Sequence, residues 1–240
     1  MQAKNAFTNQ QTVNKYAQSI INVGLWKSEE FLINKYIKKD AQILDLGCGC
    51  GRTTFWLYQL GWKNIIGADI SKAMIKQANE INQKLKFNLQ FLSLDAANLT
   101  FKTNMFDFVL FSFNGWTGIP KKEARIKAMQ EIYRVLKPGG IFIFCAHERN
   151  ETEYNLRYKI NFAKCQEYNF NEYGDYVFLN EEGIWDYMHL YSLKELKDLI
   201  NKNTNFQIIE ILNRDQNFNE PEAVLNFSDN TTFWVLQKTK

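Results

Sequence analysis

The chain has 240 residues, 45% of them hydrophobic and 23% charged, with a net charge of +3. That length suits one domain with an ample core, and 15% aromatic residues (19 Phe, 11 Tyr, 6 Trp) exclude disorder and low-complexity character. A net charge of +3 is too small to point to a nucleic acid partner.

In chain order, Met1–Asn14 is polar and has no apolar signal core. Two helices are expected over about 9–22 and 28–38. Short apolar runs follow at Ile43–Leu46, Ile65–Ala68, Phe87–Leu94, Phe106–Phe113, Ile141–Ala146, Phe206–Leu212 and Phe233–Gln237. The first, second and fifth are continuous, which suits strands buried on both faces of a parallel sheet. Amphipathic stretches lie between the runs at Thr53–Leu60, Ser71–Gln83, Lys121–Leu136 and Ser192–Asn201. Ser71 reads as an N-cap. Lys137-Pro138-Gly139-Gly140 reads as a helix stop and turn. The alternation predicts a three-layer α/β/α sandwich. Its sheet has seven strands and is mostly parallel, with an antiparallel C-terminal edge strand. The last two strands are joined without an obvious helix.

Residues 148–191 interrupt this pattern. They hold Tyr154, Tyr158, Phe162, Tyr168, Phe170, Tyr173, Tyr176, Phe178, Trp185, Tyr187 and Tyr191. They also hold nine Asp/Glu against four Lys/Arg, a net −5 that leaves +8 for the rest of the chain.

The sharpest motif is Asp45-Leu46-Gly47-Cys48-Gly49-Cys50-Gly51-Arg52, a strand running through three alternate glycines into a helix. Glycines there permit positive φ and close approach to a ligand, and the helix start offers free N–H groups. Asp69 ends the second strand, about where an acid can accept from both ribose hydroxyls. Asp95-Ala96 ends the third, where an acid can accept from an exocyclic amine while the next N–H meets a ring nitrogen. All three features lie at strand C-termini, the binding edge of an open α/β sheet. The G-x-G-x-x-G dinucleotide pattern is not met, because Arg52 stands at its last position. No Walker lysine motif occurs either.

Residues 40–146 resemble the core of the class I S-adenosylmethionine-dependent methyltransferases. Asp45-x-Gly47-x-Gly49-x-Gly51 is similar to their first motif, Asp69 to their ribose-binding acid and Asp95-Ala96 to their adenine pair. Phe106-Asp107-Phe108-Val109-Leu110-Phe111-Ser112-Phe113-Asn114-Gly115 resembles their fourth motif. Glu131-Ile132-x-Arg134-Val135-Leu136-Lys137-Pro138-Gly139-Gly140 resembles the lead into their fifth strand. The resemblance implies S-adenosylmethionine as cofactor and S-adenosylhomocysteine as product. It implies a cofactor set of Asp45, Gly47, Cys48, Gly49, Gly51, Arg52, Asp69, Ile70, Met74, Asp95, Ala96, Phe111 and Ser112. Tyr16 and Trp26 join it from helices that fold over the cofactor, although plain packing is the other reading of both. Arg52 either pairs with the cofactor carboxylate or caps a surface.

On this reading, 1–39 is a helical cover, 40–147 the cofactor-binding core, 148–191 an inserted substrate lid and 192–240 a closing helix and strand pair, all in one domain. Phe111–Trp116 should border the transferred methyl, and Asn114 can orient an acceptor. His147, at the tip of the fifth strand, and His189, at the end of the lid, are candidate proton acceptors. Cys48, Cys50, Cys145 and Cys165 form no CxxC, and no His pair has zinc spacing, so no metal is expected and a reduced, cytoplasmic setting is. No run of about 18 apolar residues exists to span a membrane. The aromatic, acidic lid points to a small-molecule acceptor, an amine or an amino sugar. RNA or protein acceptors, a NAD(P)-dependent reductase and a non-catalytic sensor are the competing readings.

Overall fold

The computed structural model describes residues 7–180 and 183–239, with the backbone alone at 157–160. Residues 1–6 of the polar N-terminal stretch, the Tyr158 side chain, Glu181 and Glu182 lie outside the described residues. The strands are β1 (Ile43–Leu46), β2 (Ile65–Asp69), β3 (Gln90–Ser93), β4 (Phe106–Phe111), β5 (Leu136–Ala146), β6 (Asp175–Leu179), β7 (Trp185–His189), β8 (Phe206–Asn213) and β9 (Thr232–Lys238). Seven of them form one sheet in the order β3-β2-β1-β4-β5-β9-β8. β1 to β5 are parallel, and β9 runs antiparallel to both neighbours. The expected antiparallel pair does stand at one edge; within it β9 lies inside and β8 outermost.

Strand alternation sends side chains to two cores. Ile43, Phe108, Leu110, Ile143 and Phe233 face one side, under α1 (Gln10–Asn22), α2 (Lys27–Tyr36), α3 (Arg52–Gln59) and α4 (Lys72–Leu85). Leu44, Val109, Phe142, Phe144 and Trp234 face the other, under α5 (Lys122–Val135) and α7 (Leu193–Asn203). Each fully buried Phe or Leu contributes about 1.5–3 kcal/mol. Ser71 caps α4, accepting from the Met74 N–H at 3.3 Å. The chain order reverses between β1 and β4, which opens a crevice at their C-terminal tips.

Two expectations need correction. Lys137–Gly140 does not precede the fifth strand but bulges within it: Phe106 pairs with Leu136 and Phe108 with Ile141. And β8 and β9 are joined through two short helices, α8 (Arg214–Asn217) and α9 (Glu222–Phe227). Neither is long enough to display a 3.6-residue period.

The 148–191 segment forms α6 (Glu151–Glu167) packed on the β6–β7 hairpin. It has a small core of its own, Cys165, Phe170, Val177 and Tyr187, with Phe170 and Tyr187 stacked at 4.0 Å. Its two ends meet: the Arg149 N–H donates to the Tyr191 carbonyl at 2.9 Å. Buried Arg125 of α5 fastens it to the main body, donating to Tyr191 Oη (2.8 Å), Tyr187 Oη (2.9 Å) and Glu172 Oε2 (2.7 Å).

Candidate cofactor and acceptor site

The three loop glycines have different tasks, although all take positive φ: +67° at Gly47, +55° at Gly49 and +94° at Gly51. A Cβ on Gly47 would fall 2.3 Å from the Phe111 ring, and one on Gly51 2.8 Å from Phe55. Those two let β1 and α3 pack against aromatic rings. A Cβ on Gly49 would meet only Tyr16, at 3.6 Å. Gly49 therefore keeps the backbone bare on the crevice side, as a ligand cradle requires.

Asp69 closes the loop from β2. Its Oδ2 accepts from the Gly49 N–H at 2.9 Å and its Oδ1 from the Ser71 N–H at 2.8 Å. Burial pushes its pKa up, against the pull of those backbone donors. Beside it, Ile70 is 44% exposed, an apolar side chain just beyond the tip of the strand. Asp95 is exposed, with one oxygen accepting from the Ala97 N–H at 2.9 Å, and Ala96 is buried behind it. Asp45 lies beneath the loop. Its Oδ2 accepts from the Thr53 and Thr54 hydroxyls, while its Oδ1 is buried without a partner. Burial raises its pKa to about 6. An open glycine cradle, acids at the tips of β2 and β3 and an exposed apolar side chain beside them fit an adenosine-bearing cofactor.

The two loop thiols are held in their protonated form by burial. Cys48 is buried and pushed well up, and burial takes Cys50 to about 12. Cys50 Sγ faces Met74 Sδ at 3.3 Å. That contact, and 1% exposure, put Met74 in the core rather than at the cofactor.

Arg52 fits neither of its two readings, and Trp26 takes the packing one. Arg52 is buried, and its four terminal N–H groups go to Glu29 Oε2 (2.8 Å), Glu29 Oε1 (2.7 Å), the Gly24 carbonyl (2.7 Å) and Ser112 Oγ (3.3 Å). It neither caps a surface nor has a terminal donor to spare for a carboxylate. Glu29 also accepts from the Ser112 hydroxyl and from the Trp26 N–H, so α2, α3 and the tip of β4 share one buried ion pair. Trp26 is 0% exposed and lies between the guanidinium groups of Arg52 (5.3 Å) and Arg214 (5.2 Å). Its ring supports Phe113 edge-on at 6.0 Å.

Beyond β4 the backbone is unusual. Phe113 (φ +52°) and Asn114 (φ +56°) are successive left-handed residues, neither of them glycine. Such residues cost roughly 1–3 kcal/mol each and persist where surroundings over-determine them. Here the Asn114 N–H donates to Cys145 Sγ at 3.2 Å, its Nδ2 lies 2.9 Å from His147 Nε2, and its Oδ1 accepts from Thr231 Oγ1 at 2.8 Å. His147 Nδ1 is 2.8 Å from the Asn230 carbonyl. Burial pushes the His147 pKa down, so the ring is neutral near pH 7. Phe113 turns towards the glycine loop and meets Tyr16 at 5.8 Å and Phe227 at 4.8 Å. Tyr16 also meets Phe227 at 6.1 Å and Phe7 at 6.0 Å. These four half-buried rings come from α1, the residues before it, the β4 tip and α9.

His189 is apart from this group. It is buried inside the lid, with Nδ1 2.9 Å from Asp175 Oδ1 and 3.8 Å from Glu172 Oε2. Burial lowers its pKa against the pull of Asp175. Among the described residues, Glu172, Asp175 and His189 are spaced as metal ligands could be, but the Arg125 guanidinium and the Tyr187 hydroxyl already occupy those carboxylates. Glu29, Thr231, Phe227 and Arg125 had no signal in the sequence. Apart from Trp26, three residues from Glu29, the side-chain partners described above are 23 to 211 residues away.

A methyltransferase-domain family model matches residues 43–140. The eEF1A lysine and N-terminal methyltransferase of Xenopus laevis is 34% identical over 117 residues, which take in 47% of this chain and 17% of that protein. The chain thus spans about a sixth of the length of that relative. Among solved structures, a SAM-dependent methyltransferase from Methanosarcina mazei aligns with a TM-score of 0.70 at 24% identity, over 87% of this chain and 97% of that one. The 1,6-didemethyltoxoflavin-N1-methyltransferase of Burkholderia thailandensis, solved with its acceptor and S-adenosylhomocysteine, aligns with a TM-score of 0.61 at 15% identity, over 89% of this chain and 78% of that one. At such identities the structures establish the fold. The glycine loop and the strand-tip acids thus lie within or at the edge of a methyltransferase-domain match over residues 43–140, on the fold that this chain shares with S-adenosylmethionine-dependent methyltransferases.

Proposed function

We propose that the chain transfers a methyl group from S-adenosylmethionine to an oxygen or nitrogen atom of a small-molecule acceptor, an amine or a sugar. The observation that carries this reading is the group of half-buried rings, Phe7, Tyr16, Phe113 and Phe227, over the Gly49 side of the loop. Aromatic faces attract cations, so the group suits both a sulfonium and an amine. When bound, S-adenosylmethionine supplies an electrophilic methyl on a positively charged sulfur.

The residues divide the work. Asp69 accepts from the ribose hydroxyls, Asp95 and the Ala96 N–H take the adenine edge, and Ile70 covers its face. The Gly47–Gly51 backbone and the start of α3 approach the amino-acid end, with Tyr16 above them. Phe111 and Ser112 form the floor. Because the electrophile is strong, alignment and exclusion of water supply most of the acceleration. Asn114 orients the acceptor. The Burkholderia enzyme is an N1-methyltransferase of 1,6-didemethyltoxoflavin and the Xenopus relative a lysine and N-terminal methyltransferase; both support a nitrogen acceptor. The four free, buried thiols support a reducing, cytoplasmic setting.

Two measurements test this. S-adenosylmethionine or S-adenosylhomocysteine should raise Tm, and NADH and NADPH should not. Radiolabelled methyl transfer to a panel of amines, hydroxylated compounds and tRNA should label a small molecule; labelling of tRNA alone would overturn the reading.

A further inference from the structure

Asn230 contributes a carbonyl to His147, and a carbonyl can only accept. His147 Nδ1, 2.8 Å away, must therefore carry the proton of the neutral ring. Its Nε2 is then a bare lone pair, and 2.9 Å from it stands the Asn114 amide nitrogen, a donor. The amide orientation follows as well. Nδ2 faces His147, so Oδ1 faces the Thr231 hydroxyl, which donates at 2.8 Å. One polarity runs through all four groups, set by a backbone carbonyl. Arg214 steadies the loop that carries it, donating from its N–H to the Thr231 carbonyl (2.8 Å) and from Nη2 to the Ser228 carbonyl (3.0 Å). What the chain of bonds holds is the left-handed Phe113–Asn114 turn, and with it the Phe113 ring between Tyr16 and Phe227.

We propose that His147 and Thr231 are positioning residues for Asn114, and that His147 acts as a fixed Nδ1–H acceptor rather than as the base that deprotonates the acceptor. The lone pair a base would use is occupied by the Asn114 amide. This deepens the methyl-transfer reading by separating orientation of the acceptor from proton removal, and it assigns a role to a threonine 117 residues from the asparagine it serves.

The chain has two histidines, so selective 15N-histidine labelling gives a simple spectrum. His147→Gln assigns the pair by deleting one set of signals. At pH 7 the His147 Nδ1 should be protonated and its Nε2 bare, and Thr231→Val should shift the Nε2 resonance while Thr231→Ser restores it. An Nε2–H ring, a doubly protonated ring, or an Nε2 signal indifferent to Thr231→Val would overturn the proposal. None of these readings needs an acceptor, so they stand or fall apart from the proposed function. With the acceptor labelled in the panel above, His147→Ala should lose tenfold or more in kcat/KM. His147→Gln should regain most of it, because its amide can accept from Asn114 and donate to Asn230 without being basic. Equal losses in both variants would instead make His147 the base.

Discussion

Gly47 and Gly49 are two residues apart and both left-handed, yet they should fail in different ways. Gly47→Ala drives a methyl to 2.3 Å from the Phe111 ring, and together with the φ penalty should cost about 2–4 kcal/mol of folding stability. Gly49→Ala meets no such clash and should cost only about 1–2 kcal/mol, the penalty for the left-handed backbone. It puts the methyl in the crevice, so stabilisation by S-adenosylhomocysteine should vanish from a folded protein. Urea unfolding and thermal shift, run on both variants, separate the two; equal losses of stability would refute the distinction. Asp45 offers a pH test. Its folded pKa of about 6 lies above the ordinary value of 3.8, so between about pH 4 and 6 the folded chain keeps a proton that the unfolded chain releases. Stability from this group is therefore lost as pH rises through that window, on the order of 2–3 kcal/mol. Asp45→Asn does not titrate. The stability difference between wild type and variant should shift by that amount from pH 4 to 7, and parallel profiles would exclude the effect. At this scale the glycines and strand-tip acids were legible because local backbone geometry selects them. Glu29, Thr231 and Phe227 were not, because what makes them matter is a partner brought up by the fold.

The elements themselves were legible where burial imposes a period. Every strand of the large sheet appeared as an apolar run, since each needs a face, or two, for the cores on either side. α6, β6 and β7 left no such trace. Their aromatic and charged residues pack on one another in a thin two-element layer, so apolar and polar positions do not segregate by face. That layer is tied to the body through Arg125, which is 0% exposed and donates to both tyrosine hydroxyls and to Glu172. Arg125→Met keeps much of the stem's packing but removes the donors to Tyr191, Tyr187 and Glu172, and should loosen the lid by roughly 3 kcal/mol. Arg125→Lys should not rescue it, because one ammonium cannot reproduce the fork. Hydrogen exchange should rise across β6 and β7 in both variants, while stabilisation by S-adenosylhomocysteine, whose proposed site is at the tips of β1 and β2, should stay within about twofold of wild type. Unchanged protection in the hairpin would show that Arg125 is not the fastening.

Across the whole molecule, the lid's −5 against +8 elsewhere suggested carboxylates waiting for a cation. The structure spends several of them internally. Glu151 pairs with Arg149, Glu167 with Lys164, Glu172 with Arg125, and Asp175 with His189 and Tyr187. Many of its aromatic residues are likewise engaged, Phe170 on Tyr187, Tyr176 on Phe178, and Tyr191 on Trp116. Acidity and aromaticity there build and dock a layer, and the rings near the glycine loop come from α1, β4 and α9 instead. The lid should then be separable from cofactor binding. Its ends already touch, the Arg149 N–H donating to the Tyr191 carbonyl at 2.9 Å and Arg149 Nη1 to the Leu190 carbonyl at 3.0 Å, so a Gly-Ser-Gly bridge in place of residues 150–189 closes the gap without stretching the sheet. Arg125→Met must accompany the deletion, since an unpaired buried guanidinium would by itself cost several kcal/mol. The shortened protein should fold and retain stabilisation by S-adenosylhomocysteine, because Gly47–Gly51, Asp69 and Asp95 lie outside the deleted segment. Transfer to the acceptor found for the full chain should fall at least tenfold, with the loss mainly in KM, if the lid covers that acceptor. A folded deletion protein that no longer responds to S-adenosylhomocysteine would show that the layer belongs to the cofactor site. One with KM and kcat intact would leave acceptor choice to the rings of Tyr16, Phe113 and Phe227 alone.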